Sequence, residues 1–179
     1  GGVLGQDEIT VHQQRHRALN PTGAVPLLVD GDFVLAQNAA IAGYIADTFP
    51  AAGLAGDGSA RQRAEALRWL SYVNSDLHPA FIPMFAPGKV IEDPAQYEAI
   101  KAAARLRGRS VLETAERRLQ DRQWLAGFRS FADPYLYMTL RWAGGLGVDL
   151  SGLDALAAFK SRMDADAGVQ RALKAEGLA

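Results

Sequence analysis

A few short segments carry groups suited to chemistry. In LSYVNSDLHPAFIPMF, Ser71, Asn74 and His78 follow i, i+3, i+7 spacing and so share one helix face, among the apolar neighbours Leu67, Leu70, Val73, Leu77 and Phe81. A polar stripe on an apolar helix faces solvent or a cleft. An imidazole lining a cleft offers a hydrogen-bond donor or a base near neutral pH, whereas the plainer reading is a surface or structural histidine. Pro79 has no N–H for the carbonyl of Ser75 and its ring crowds that carbonyl, so a kink is expected beside His78. In FVLAQNAAI, the Gln37-Asn38 amide pair stands where a helical pattern begins, and unpaired N–H groups and the helix dipole there attract carboxylates and phosphates. Asn38 acting as a simple N-cap is the plainer alternative. In NPTGAVPLLV, Pro26 opens an apolar run. A proline so placed usually just begins an edge strand, but a cis Val25-Pro26 bond would turn the backbone of Val25 outward to pair with an extended, peptide-like ligand.

These groups need elements to hold them. Leu27 to Val29 and Phe33 to Leu35 flank Asp30-Gly31-Asp32, and an Asp-Gly step between apolar runs predicts an antiparallel hairpin. ITVHQ at 9–13 alternates and is expected to join the same sheet as a strand, through a short helix or loop at 14–19. A helix follows at 38–49, with Ile41, Tyr44 and Ile45 inward. Beyond a glycine-rich linker at 50–60, helical patterns run over 59–86, 93–119, 131–144, 153–164 and 169–176. The expected organisation is α+β, with a small α/β domain at 1–50 and an all-α domain at 59–179. Ser130 and Asp133 have capping-box spacing, with Ser130 expected to bond the amide of Asp133 and the Asp133 carboxylate to return to the amide of Ser130. The helix after them, with Tyr135, Leu136, Leu140 and Trp142, is too apolar all round for a surface helix and is expected as the central post of its domain.

Composition narrows the function. The chain of 179 residues has 19 basic and 20 acidic side chains and no long run of like charge, which argues against nucleic acid as a partner. No apolar stretch approaches the roughly 20 residues of a membrane span, so no membrane is expected. With no cysteine and three histidines, thiolate chemistry is excluded for these residues and no metal is expected. Cytoplasm is the default location.

Together the segments resemble the glutathione transferase superfamily, most closely the bacterial beta class. The resemblance rests on NPTGAVPLLV, the hairpin leading into LAQNAAIAGYIAD, LSYVNSDLHPAFIPMF and SFADPYLYMTLRWA, and it spans residues 8–178. It implies a thioredoxin-like N-terminal domain, an all-helical C-terminal domain and a homodimer whose cleft binds the tripeptide glutathione as substrate. By the same resemblance, the Val25 backbone pairs with the cysteinyl part of glutathione, Pro26 is the cis proline behind it, and Gln37 and Asn38 hold the γ-glutamyl carboxylate. His78 matches the histidine beside the sulfur, Asp76 is placed to reach the glutathione amine of the partner subunit, and Trp142 walls the site of a second, hydrophobic substrate. Pro79 stands where the family often has lysine. The implied reaction is attack of the glutathione thiolate on a small hydrophobic electrophile, as in detoxification, with the thiol's pKa lowered by hydrogen-bond donors.

The opening departs from the family. GGVLGQDEITVHQQ matches the end of the family's first helix and its second strand, so the thioredoxin-like domain is expected to lack about 25 residues, the length of a strand and helix in a βαβ unit. The Tyr, Ser or Cys that stabilises the thiolate lies in that segment in the family. A second reading therefore stands beside the enzyme: a non-catalytic, glutathione-transferase-like ligand-binding or interaction protein. A helical-bundle binding protein with an incidental α/β cap explains the second domain but not NPTGAVP.

Overall fold

The computed structural model describes residues 6–178, with side chains from residue 13 onward. The described chain falls into two compact units that meet in sequence between Thr48 and Phe49.

The first unit holds α1 (Gln6–Leu19), the antiparallel strands β1 (Leu27–Asp30) and β2 (Phe33–Ala36), and α2 (Asn38–Thr48). The register runs from Leu27 opposite Ala36 to Asp30 opposite Phe33, leaving Gly31 and Asp32 as the turn. Gly31 takes the left-handed φ of 61° at the first central position, where a tight hairpin favours glycine. The strand expected at 9–13 is instead part of α1. The β-branched run Ile-Thr-Val is too short to outweigh the straight-chain helix formers around it, and a helix satisfies its own N–H and C=O groups without a neighbouring strand. His16 and Arg17 lie in its last turn, where they complement the helix dipole. In α2, Ile41 and Ala46 are buried, while Tyr44 stacks on Phe33 with ring centroids 5.3 Å apart and donates its hydroxyl to Asp30 at 2.7 Å. Those contacts tie the helix to the hairpin, which alone would be marginal.

The second unit is helical: α3 (Ala60–Tyr72), a π turn (Val73–Leu77), α4 (His78–Phe85), α5 (Tyr97–Leu119), α6 (Ala132–Gly145), α7 (Asp154–Asp164) and α8 (Ala167–Ala175). Before α3, a 3-10 turn spans Pro50–Ala52, and the Leu54 carbonyl accepts from the amide of Phe131 at 3.0 Å. The expected kink near Pro79 takes the form of the π turn, in which the amide of His78 reaches back five residues to the carbonyl of Val73. One extra residue in the turn is the local adjustment a helix makes around an interior proline. The core gathers Leu70, Val73, Leu77 and Phe81 with Leu112, Leu136 and Phe159. α6 supplies buried residues along its whole length, as a central helix must.

Two buried carboxylates fasten these helices. Glu116 on α5 accepts from the amides of Ala155 and Leu156 at 3.1 and 2.8 Å, so a side chain from another helix caps the start of α7. Asp133 accepts from the amide of Leu125 through one oxygen at 3.1 Å, and from the amide and hydroxyl of Ser130 through the other at 2.7 and 3.2 Å. The return bond of the capping box is thus as expected. The forward bond is not: the Ser130 hydroxyl accepts from Ala132, while the Asp133 amide goes to the Ser130 carbonyl. The Ser130 hydroxyl thus donates to the carboxylate and accepts one residue earlier than the capping box requires.

Burial pushes the Asp133 carboxyl up from 3.8 to about 6, against amide bonds that pull it down. The acid form is therefore favoured by folding, and its stabilising contribution is present below pH 4 and lost as pH rises through 6. Wild type should lose up to about 3 kcal/mol from this group across that window. Asp133→Asn should remove that share of the slope and cost about 1–3 kcal/mol at pH 7, where the ionised group accepts through both oxygens and one amide oxygen cannot occupy both positions. Urea unfolding of both proteins at pH 4 and pH 7 checks the difference.

Candidate functional site

In the first unit the loop at 20–26 is organised by Asn20, whose side chain is buried. Its Nδ2 donates to the Ala24 carbonyl at 2.7 Å and its Oδ1 accepts from the Thr22 hydroxyl at 2.8 Å. His16 Nε2 lies 3.0 Å from the same carbonyl. With Ala24 held in this way, the chain enters Val25 in a fixed direction. The Val25-Pro26 bond is cis. Val25 is 82% exposed, and among the described residues neither its amide nor its carbonyl takes a backbone partner. An exposed donor and acceptor on one residue, just ahead of β1, can pair with an extended chain.

At the other end of the hairpin, Gln37 is the N-cap of α2 because its carbonyl accepts from the amide of Ile41 at 3.0 Å. This corrects the expectation that Asn38 is the cap, since Asn38 is the first helical residue. The displacement has a backbone cause. Gln37 holds φ of 75°, the one left-handed non-glycine among the described residues, at a cost of about 1–3 kcal/mol. Its side chain is exposed and Asn38 is half-buried in the first turn, next to amides that have no intrahelical acceptor.

The second unit brings His78 and Trp142 together, with ring centroids 4.9 Å apart and edge-on. Trp142 also meets Phe85 and Phe81, at 5.4 and 6.2 Å. Phe85 is exposed, so a half-buried imidazole borders an open aromatic surface. His78 Nδ1 is 2.5 Å from the Tyr135 hydroxyl, which is also 3.5 Å from Asn74 Oδ1. Burial pulls the imidazole below its ordinary range and pushes the phenol up, so both are neutral near pH 7. Of the polar stripe on this helix, Asn74 and His78 converge on Tyr135, whereas Ser71 is exposed. Asp76 lies on the π turn at a cleft of about 450 Å³ between α4 and α5, with Pro79, Pro83, Ile100 and Arg107.

Sequence reasoning missed Tyr135, Asn20 and the backbone of Gln37. Tyr135 was legible in part: it stands seven residues before Trp142, on one face of α6. Asn20 opens NPTGAVP, and a turn-forming side chain at that place was a signal too. Nothing in the types alone marks a glutamine for positive φ.

A family model described as an outer mitochondrial membrane transport complex protein matches residues 2–85, under half of the chain. A glutathione S-transferase of Xanthomonas campestris is 51% identical over 173 residues, covering 96% of this chain and 85% of that protein. The structure of a glutathione S-transferase from Xylella fastidiosa superposes with a TM-score of 0.90 at 49% identity, covering 98% of this chain and 85% of that one. A sphingomonad glutathione S-transferase, complexed with glutathione, gives 0.79 at 38% identity, covering 91% and 79%. The chain belongs to the glutathione S-transferase family, and its hairpin-and-helix unit followed by a helical unit is the thioredoxin-like plus all-helical architecture of that family.

The strain at Gln37 is measurable without any ligand. Gln37→Gly should stabilise the protein by roughly 0.5–1 kcal/mol, the relief at φ outweighing the added freedom of the unfolded glycine. Gln37→Val should destabilise it by about 1–2 kcal/mol, because a β-branched residue fits a left-handed backbone worst. Equilibrium denaturation of the pair checks both signs.

Proposed function

We propose that this protein is a glutathione transferase that binds glutathione and promotes attack of its thiolate on a small hydrophobic electrophile. The observation that carries the reading is the outward backbone of Val25: a hairpin gains nothing from an exposed apolar residue with free amide and carbonyl, whereas a tripeptide can pair with both. In this reading Val25 and Pro26 bind the cysteinyl part. Gln37 and Asn38 bind the γ-glutamyl carboxylate, which the unpaired amides at the start of α2 favour. His78 donates a hydrogen bond to the sulfur, and Trp142 with Phe85 faces the electrophile. The sphingomonad relative that carries glutathione supports the choice of thiol. The functional division is a glutathione-binding domain at 1–50 and a helical domain at 59–179.

The working form is a cytoplasmic homodimer in detoxification. Leu106 on α5 is 75% exposed, an apolar side chain that a second copy would cover. Asp76 then reaches the amine of the glutathione bound to the partner.

Glutathione that binds the native state must stabilise it, by about 2.7 kcal/mol at a hundredfold excess over Kd. Millimolar glutathione should therefore raise the melting temperature, and Gln37→Ala should weaken that shift by roughly tenfold in Kd. No shift in wild type sinks the glutathione site. With a chloronitroarene as electrophile, His78→Ala should lower turnover by about tenfold or more; binding without turnover in wild type would leave a glutathione-binding protein that is not a transferase.

A further inference from the structure

We propose that Tyr135 locks neutral His78 in the tautomer that carries its proton on Nε2, by donating the phenol proton to Nδ1. Two groups compete for one proton. Two acceptors lie near the Tyr135 hydroxyl, His78 Nδ1 at 2.5 Å and Asn74 Oδ1 at 3.5 Å. Hydroxyl hydrogen bonds are commonest at about 2.7–2.8 Å and weaken toward 3.5 Å, so the amide oxygen is at the limit of reach. An imidazole nitrogen is also the better acceptor. The proton therefore goes to Nδ1, and a neutral ring that accepts at Nδ1 must carry its own hydrogen on Nε2. The reverse arrangement, with Nδ1–H donating, would strand the phenol proton on the 3.5 Å contact.

Packing holds the ring in the orientation this needs. His78 is edge-on to Tyr135 at 84° and to Trp142 at 67°, with centroids 5.8 and 4.9 Å away, and turning the imidazole over would give up the Tyr135 bond. The π turn sets the same orientation from the backbone, because the extra residue rotates His78 relative to α3.

The consequence rests on the proposed glutathione site. A locked Nε2–H is a donor and cannot take a proton, so His78 stabilises a thiolate by hydrogen bonding and does not act as its base. The thiol proton leaves to solvent, and the thiolate that remains accepts from Nε2. Tyr135 is then a positioning residue, acting on the sulfur through His78.

The test reads the tautomer directly. Long-range proton–nitrogen spectra of the 15N-labelled protein at pH 7.5 resolve the ring nitrogens of its 3 histidines, and the His78 signals are those lost in His78→Gln. Wild type should show an unprotonated Nδ1 and a protonated Nε2. Tyr135→Phe keeps the ring and removes the hydroxyl, and should move both signals toward the mixed values of a free histidine. Asn74→Ala should leave them in place. A protonated Nδ1 in wild type overturns the proposal, as does a Tyr135→Phe spectrum identical to wild type or one altered by Asn74→Ala. Should Tyr135→Phe not fold, the wild-type spectrum still decides. In turnover assays Tyr135→Phe should lower kcat about three- to tenfold with KM for glutathione within twofold, and little further loss should follow when His78→Gln is added. A locked tautomer together with no thermal shift from glutathione would refute the glutathione reading while leaving the tautomer assignment standing.

Discussion

The buried carboxylate of Asp133 is the constraint on which the helical unit depends. It satisfies amides on both sides of a loop, Leu125 and Ser130, and so fixes where α6 starts and in which rotation about its axis. That rotation decides which faces Tyr135, Leu136, Tyr137 and Trp142 occupy. Leu136 is fully buried, Tyr137 reaches Asp164 at 2.7 Å, and Tyr135 and Trp142 meet His78. A shift of one residue at the cap would turn the helix by about 100° and separate the imidazole from both rings. Burying a carboxylate is costly unless every lone pair in reach is used, and here two amides and a hydroxyl use them. Glu116 solves the same problem at the start of α7.

The π turn is the second constraint, and it acts on the other side of the same contact. α3 and α4 would form one regular helix but for Pro79, and a regular continuation would rotate every residue after Val73 differently. The extra residue keeps Leu77 and Phe81 in the core while His78 meets the aromatic face of α6. The imidazole is therefore placed by two helices whose registers are set independently, one by a carboxylate and one by a proline.

Much of this was legible from residue types and much was not. The hairpin, the helices of the second unit and the return bond of the Ser130–Asp133 cap follow from turn chemistry and periodicity, because local signals and tertiary packing agree there. ITVHQ shows the failure of local signals: three β-branched residues read as a strand, but no strand among the described residues pairs with them and the helix prevails. Asp30-Gly31-Asp32 marks the right hairpin, and the four cross-strand pairs assign Asp30 to the strand and Gly31-Asp32 to the turn. Among the candidate residues, the pairing of His78 with Trp142 depends on the rotation of two helices and joins residues more than 60 positions apart, a relation no window of sequence contains. Tyr135 was hidden for the same reason, since its hydroxyl is informative only once His78 is seen beside it.

Two positions of the proposed site are also those where the backbone leaves its regular forms. Gln37 sits at positive φ between a strand and a helix, and His78 follows a π turn. Neither departure helps its own element: a glycine would suit the first place better, and an α-helical turn the second, if stability were all that mattered. Both are kept in place by ordinary neighbours, the Ile41 amide on the Gln37 carbonyl and the buried Val73 and Leu77 on either side of the turn. A backbone conformation that is locally unfavourable yet over-determined by its surroundings fixes a side chain more tightly than a relaxed one does, because the alternatives cost packing. Under the proposed function that rigidity suits groups that would hold an anion in one place: an amide at a helix start and an imidazole with its proton on one chosen nitrogen.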